Sequence, residues 1–382
     1  MGHEVAKEAV DVNQRRRRVL LVVGPVAGGI GVHVSSLARG LPAHGWDVTV
    51  LTTPASASRF DFGPDVHPIW PDHLASSPGR VLHLRSAARD DVVAADVVHA
   101  HGHQAGVVAL GLTGLTGVAR RPVVVSWHNA SLGSGVDRRV RDLTEQWLAR
   151  RADLVTGASS DLVDRATRLG ARSAELAPVA APQAGAWSGD RDAERREVAA
   201  ELGLDPDLPW VLTVSRIASQ KNLHVIVDAA ARLAETLPHQ WLVVGDGDEA
   251  LAARLWGRIS DTGAPVHLLG ARADVPRLMA VSDVFALASA WEARALVVQE
   301  AFAAGLAVVA SRAGGLTDLV HGVGVLVPPG DADALAHSVG SLLADPERRR
   351  AVAEAGRDRF ALLPDEDDVL TMWARTYQNL AP

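Results

Sequence analysis

Short β-branched runs alternate with longer amphipathic segments along most of the chain, and this alternation narrows the accessible folds more than any other feature. In the first half the strand-like runs are RVLLVV (18–23), DVTVLTT (47–53), DVVHAH (96–101), PVVVSW (122–127) and LVTGAS (154–159). In the second half they are WVLTVS (210–215), WLVVGD (241–246), VHLLG (266–270), VFALAS (284–289), AVVAS (307–311) and GVLVP (324–328). Between them, segments such as VHVSSLARGLPAHG (32–45) and NLHVIVDAAARLAET (222–236) place apolar residues three and four apart, which predicts helices. Strands that are apolar at nearly every position are buried on both faces, so the pattern predicts parallel sheets covered by helices. The series restarts near Trp210, after APVAAPQAGAWSGDRDAERR (177–196), which is rich in Ala, Pro and Gly and has no period. A length of 382 residues suits two domains. The expected fold is therefore α/β, with two doubly wound Rossmann-like domains facing each other across a cleft. The expected boundaries are residues 1–180, a linker at 181–196, a second domain at 197–362, and an amphipathic helix within 363–382.

Bulk properties exclude several function classes. A net charge of −7 and a pI near 6.1 supply no positive field for nucleic acid. The absence of cysteine removes disulfides, thiolate metal sites and a cysteine nucleophile, and is compatible with the cytosol. RRRRVLLVVGPVAGG (15–29) superficially resembles an export signal, but Gly24 and Pro25 break the apolar run, and a buried first strand is the better reading. No uninterrupted stretch of 18 apolar residues occurs, so no transmembrane helix is expected. Of 38 basic residues only Lys7 and Lys221 are lysines. In a chain that uses arginine almost everywhere, a lysine inside the folded body is a signal.

In doubly wound sheets, ligands sit beyond the carboxyl ends of strands, where loops enter helices. Four motifs lie there. GPVAGGIGVH (24–33) supplies Gly28, Gly29 and Gly31, which allow either close backbone approach to an anion or simply a tight turn. SRIASQKN (215–222) places Arg216 and Lys221 five residues apart, a planar fork and a compact charge that suit a diphosphate; the alternative is a pair of solvated cations. ASAWEARALVVQEAFAAG (288–305) puts Glu292 in a strand-exit loop and Glu300 a little over one turn into a helix. That helix is predicted from near Leu296 to Ala304 and stopped by Gly305. An acid in the loop suits sugar hydroxyls, one deeper suits a ribose diol, and the helix N–H groups between them suit phosphates. HAHGH (99–103) would align three histidines for a metal on an extended strand, but Gly102 predicts that the strand ends at His101, so no metal site is expected.

The Gly-Gly turn, Arg-x4-Lys, VVGDGDEALAARL (243–255) and the two glutamates before AFAAGLAVVASRAGG together resemble the retaining GT-B glycosyltransferases of family 4, the glycosyl transferases group 1. The likeness spans essentially the whole chain and is strongest over 208–345. It implies a nucleotide-sugar donor, UDP- or GDP-linked, and no further cofactor. The acceptor would be a small molecule, glycan or lipid, and the last helix would cross back to the first domain. It further implies that Arg216 and Lys221 bind the diphosphate, Glu300 the ribose and Glu292 the transferred sugar. His128 would lie against that sugar, with His101 and Asn129 on the acceptor side and Gly28, Gly29, Arg294, Ala295 and Leu296 on the donor side.

The chain departs from this family at Arg294 and Ala295, where relatives carry an aromatic residue and glycine. A Cβ at 295 is expected to press on the donor sugar. Asp318 stands where relatives have glutamate. The expectation is a cytoplasmic, metal-independent, retaining hexosyltransferase working by front-face internal return, since no carboxylate nucleophile is evident. Two alternatives remain: a catalytically silent homologue acting as partner protein, motivated by Arg294 and Ala295, and a sugar-nucleotide epimerase. The basic helix DRRVRDLTEQWLARRADL (137–154) raises a peripheral membrane contact, but its interspersed Asp137, Asp142, Glu145 and Asp153 favour a solvated face.

Overall fold

A computed structural model of the chain describes residues 16–26, 28–70, 84, 86–114, 120–129, 136–177, 179–180 and 189–381. The apolar runs become strands because each is flanked by a segment that can cover it. The first series is β1 (Arg17–Val23), α1 (Gly29–Gly40), β2 (Trp46–Leu51), α2 (Pro54–Arg59), β3 (Val66–His67), α3 (Arg89–Ala94), β4 (Val97–His101) and α4 (His103–Gly114). It continues through β5 (Val123–Trp127), α5 (Val136–Arg151), β6 (Leu154–Gly157), α6 (Ser160–Arg168) and β7 (Ala174–Leu176). The second series is α7 (Arg191–Leu202), β8 (Trp210–Val214), α8 (Leu223–Ala234), β9 (Gln240–Val244), α9 (Glu249–Thr262), β10 (Val266–Leu268), α10 (Val275–Val281) and β11 (Val284–Leu287). After these come α11 (Leu296–Ala303), β12 (Ala307–Ser311), α12 (Gly315–Val320), β13 (Val325–Val327), α13 (Ala332–Ala344), α14 (Pro346–Ala361) and α15 (Glu366–Leu380).

Seven strands form one sheet in the order β3-β2-β1-β4-β5-β6-β7, and six form the other in the order β10-β9-β8-β11-β12-β13. In the second sheet every neighbouring pair is parallel. Both are doubly wound α/β sheets of the Rossmann type, and each reverses direction at its first strand. The crevice of the second sheet thus opens between β8 and β11, where a ligand is expected beyond the carboxyl ends. The two loops leaving those strands carry Arg216 with Lys221, and Glu292.

By packing, the chain divides into Met1–Val124 with Leu370–Pro382, and Val125–Val369. This division falls inside the first sheet, whereas the sequence expected a boundary near residue 180. Within the second unit, α6 is fastened to the loops of the second series through Asp318 and Trp291. Of the expected linker, residues 181–188 lie outside those described, while 191–196 are helical. They belong to α7, whose N-cap Asp190 accepts from the backbone N–H groups of Asp192 and Ala193. The strands β3 and β7 were not expected; at two and three residues they are too short to show alternation.

The last helix packs within the first unit. Tyr377 Oη and His99 Nδ1 lie 2.6 Å apart, and the Trp373 ring lies 4.3 Å from the imidazole of His99. His99 is therefore committed to this contact, and Gly102 (φ 94°) ends the strand before His103 opens α4. The extended three-histidine face does not form. Among the described residues no group of three or more His, Asp or Glu could hold a metal ion, and no helix is long and apolar enough to cross a membrane.

The arginine bias has a structural use. Arg191 donates to the carbonyls of Ala280, Val281 and Ser282 at the end of α10, Arg349 to Leu342 and Leu343 at the end of α13, and Arg359 to Asp318 and His321 around α12. A guanidinium presents five N–H donors in a rigid plane and can span several orphan carbonyls at once, and its charge suits the negative end of the helix dipole.

On α5 the structure corrects the solvated-face expectation. Asp142 and Glu145 both turn onto Arg165 of α6, at 2.6 and 2.5 Å, and Glu145 is only 1% exposed. The outward face instead carries Val140, Leu143 and Trp147 in a row, with Arg139, Arg150 and Arg151 also exposed.

Candidate functional site

Two glycines determine how the β8 loop sits beside the β9 loop. At Gly245 (φ 135°) a Cβ would fall 2.0 Å from the carbonyl oxygen of Ser215, and at Gly247 (φ 156°) 2.3 Å from that of Ile217. Only bare backbone fits, and it allows Ile217 N–H to donate to Asp246 (2.7 Å) and Asp248 N–H to Ile217 (2.9 Å). The chain then forms a 3-10 turn at Ser219–Lys221 and enters α8 through Asn222. With φ 48°, Asn222 is the sole non-glycine at positive φ among the described residues. Arg216 projects into solvent, whereas Lys221 folds inward with its side chain 16% exposed.

Lys221 Nζ meets Glu292 Oε1 in an ion pair whose carboxylate side chain is 11% exposed. The pair joins the two strand-exit loops of the crevice across 71 residues of sequence. Gln220 fixes the Glu292 loop from one side, its carbonyl accepting from Ala290 N–H (2.8 Å) and its side-chain amide donating to the Trp291 carbonyl (2.5 Å). The Gly314–Gly315 turn holds it from the other side, with Gly315 N–H donating to the Glu292 carbonyl at 2.8 Å. A Cβ at Gly314 would lie 2.3 Å from that carbonyl oxygen.

The helix α11 begins at Leu296, which is half-buried, and no side chain caps its N-terminus. Its first-turn N–H groups thus face the end of the crevice with partial positive charge. Ala295 was expected on the donor side. It is 4% exposed and packs in the core with Val298, Ala301 and Phe302. Arg294 is half-buried, and its buried Nε has no hydrogen-bond partner among the described residues. Burial holds its guanidinium below the ordinary value; the Asp318 carboxylate opposes that shift and Arg359 adds to it.

Glu300 is half-buried in α11 with no side-chain partner among the described residues, and burial raises its pKa. The folded state therefore holds this proton more tightly than the unfolded chain. Stability falls as pH rises from the ordinary carboxylate range through the raised folded value. Glu300→Gln should be more stable than wild type at neutral pH, with the difference closing in acid. Thermal unfolding across about pH 4 to 8 measures this, and identical midpoints throughout that range would contradict it.

In the first unit, Gly28 (φ 69°) precedes α1 and Gly29 begins it; no atom lies within 4 Å of a Cβ at Gly28, so its conformation, not crowding, calls for glycine. His101 ends β4, 3% exposed, with its ring 4.0 Å from His99 and 5.7 Å from His33. Burial lowers the pKa of His33 to about 4. In the second unit, His128 and Asn129 directly follow β5, half-buried and exposed respectively. Sequence reasoning missed Gln220, Trp291, Asp161 and Gly315, which hold the Glu292 loop. It noted Asp318 only as a departure from the family, not as the partner of Ser160.

Comparison with known proteins places this arrangement. Residues 194–359 match the family described as Glycosyl transferases group 1, and residues 28–182 match the Glycosyl transferase 4-like domain. An alpha-D-kanosaminyltransferase of Streptomyces kanamyceticus is 30% identical over 296 residues, covering 72% of this chain and 74% of the relative. A glycogen synthase of Mycobacterium tuberculosis is 29% identical over 395 residues, covering 92% and 91%. Among solved structures, Anabaena HepE in complex with UDP and glucose has the same fold, with a TM-score of 0.79 and 24% identity over 95% of this chain and 100% of that one. The chain belongs to the glycosyl transferases group 1 and is a GT-B glycosyltransferase of family 4.

Proposed function

We propose that the chain transfers a hexose from a UDP- or GDP-linked donor to an acceptor hydroxyl with retention at the anomeric carbon, without a metal. The observation that carries this reading is the Lys221–Glu292 pair beside the uncapped N-terminus of α11 at the switch point of the second sheet. Cation, acid and helix N–H groups there match a diphosphate joined to a sugar. On this reading Arg216 and Lys221 hold the diphosphate, Glu300 the ribose, Glu292 the sugar hydroxyls, and His128 stands against the sugar. His101 and Asn129 keep their acceptor-side assignment, and the Gly28–Gly29 turn its donor-side one.

The bond between the anomeric carbon and the phosphate oxygen breaks as the acceptor oxygen bonds to that carbon on the same face. The acceptor proton passes to the departing phosphate oxygen. Lys221, Arg216 and the α11 N–H groups stabilise the charge left on the diphosphate.

Incubation with UDP- and GDP-hexoses tests the reading. Release of nucleoside diphosphate, with an α-linked product from an α-linked donor, is expected. An inverted product overturns retention, conversion to another intact sugar nucleotide identifies an epimerase, and no turnover with any donor identifies a silent homologue. The exposed Val140, Leu143 and Trp147 among arginines favour a second partner, an anionic lipid surface. The same incubations with vesicles of anionic lipid should then show cosedimentation of the protein, and its absence refutes that contact.

A further inference from the structure

Trp291 immediately precedes the acid read as sugar-facing, and its side chain is tied to another helix. It is 8% exposed, and its indole N–H donates to Asp161 Oδ2 at 2.7 Å. The other oxygen of Asp161 accepts from Ser159 Oγ at 2.5 Å, so both ends of the carboxylate are fixed. Ser159 is the N-cap residue of α6, but it makes no side-chain cap bond. That function passes to Asp318 of α12, which accepts from Ser160 N–H at 2.9 Å and from Ser160 Oγ at 2.7 Å. The start of α6 is thereby fastened at two points: to residue 291, next to Glu292, and to the helix opened by Gly315, which holds the Glu292 carbonyl.

These bonds bear on where Glu292 lies. The Glu292 backbone is held by Gly315, its carboxylate by Lys221, and the preceding side chain by Asp161. A tether through an indole N–H has one acceptable length and direction, whereas apolar packing alone would let the loop slide.

We propose that Asp161 is a positioning residue that acts through Trp291 to set Glu292 against the transferred sugar, so that α6 tunes recognition of the donor's sugar half. This rests on the reading that Glu292 contacts that sugar. Losing the tether should leave the diphosphate and ribose contacts of Arg216, Lys221 and Glu300 in place.

Trp291→Phe, which keeps the ring and removes the donor, and Asp161→Asn, which keeps the shape and removes the charge, test it. Calorimetric affinities for a nucleoside diphosphate and for the matching nucleotide sugar are compared in the full chain. Either variant should lose about tenfold more affinity for the nucleotide sugar than for the nucleoside diphosphate, the scale of one hydrogen bond. The double variant should be no worse than the more impaired single one, because the two changes break one bond. An unchanged ratio of the two affinities overturns the inference, as do additive losses. A purely structural role would lower both affinities together with the unfolding midpoint, which also overturns it. If the wild-type chain binds no nucleotide of either kind, the donor reading itself is wrong. Wild-type binding with an unchanged ratio in the variants isolates the failure to the tether.

Discussion

Lys221→Ala is expected to lower turnover about a hundredfold or more, as when a donor that stabilises developing charge is removed from a preorganised site. The structure adds a second consequence. Lys221 and Glu292 form a largely buried pair, so truncating the lysine leaves the glutamate uncompensated, a loss of about 3 kcal/mol for such pairs. The two effects separate in the double variant Lys221→Met with Glu292→Gln. Replacing both charges removes the stranded carboxylate, so stability should recover toward wild type. Turnover should not recover, because neither the diphosphate charge nor the sugar hydroxyls regain a partner. Steady-state rates with a turned-over nucleotide sugar, set beside unfolding midpoints, measure both. Near-normal turnover in Lys221→Ala would mean that this ammonium does not serve the diphosphate.

The resting pair also bears on how the site reads a ligand. A lysine held by an acid is less available to phosphate than a free one, and an acid held by a lysine is less available to hydroxyls. A donor that carries both groups satisfies both at once, exchanging one ion pair for two charge-assisted contacts. A nucleoside diphosphate without its sugar would draw on Lys221 and leave Glu292 without a compensating partner. On the proposed reading of the site, the pair would favour the intact donor over the spent one.

Much of this was legible in the sequence, for identifiable reasons. Apolar runs located the long strands because a parallel strand buried on both faces is apolar at nearly every position. The helix carrying Glu300 was bounded correctly because Gly305, at φ 74°, terminates it in a conformation glycine adopts readily. Lys221 stood out against the arginine background, and it is the cation that turns inward. The start of α7 was hidden, although Asp190 is an ordinary N-cap, because the Ala/Pro/Gly-rich stretch before it reads as linker. The inward face of α5 could not be read because Asp142 and Glu145 are neutralised by Arg165, on another helix. The tether from Trp291 to Asp161 spans 130 residues, and no local pattern reports a contact at that separation. The surroundings of Ala295 were also illegible, because its membership of the core cluster with Phe285, Leu287 and Val308 depends on strands far from it in sequence.

The most damaging small change should be Gly315→Ala. Its backbone needs no special φ, yet an added Cβ would stand 1.8 Å from the Ala293 carbonyl oxygen and 2.9 Å from Ser159 Cβ. Neither obstacle is the flexible end of a side chain, so the Glu292 loop itself must move. Overpacking of this kind costs about 1–3 kcal/mol, and displacing a substrate-positioning group by about 1 Å costs roughly a hundredfold in rate. Gly315→Ala should therefore lower both the unfolding midpoint and kcat/KM, although the methyl touches no ligand. Gly257→Ala is the control. It lies within α9, where no atom comes within 4 Å of an added Cβ, so the substitution should gain about 0.5–1 kcal/mol and leave the rate alone. If Gly315→Ala retained wild-type kcat/KM, the backbone of 292–293 would not be what sets the acid, and the contact between the Gly-Gly turn and the Glu292 loop would be incidental to catalysis.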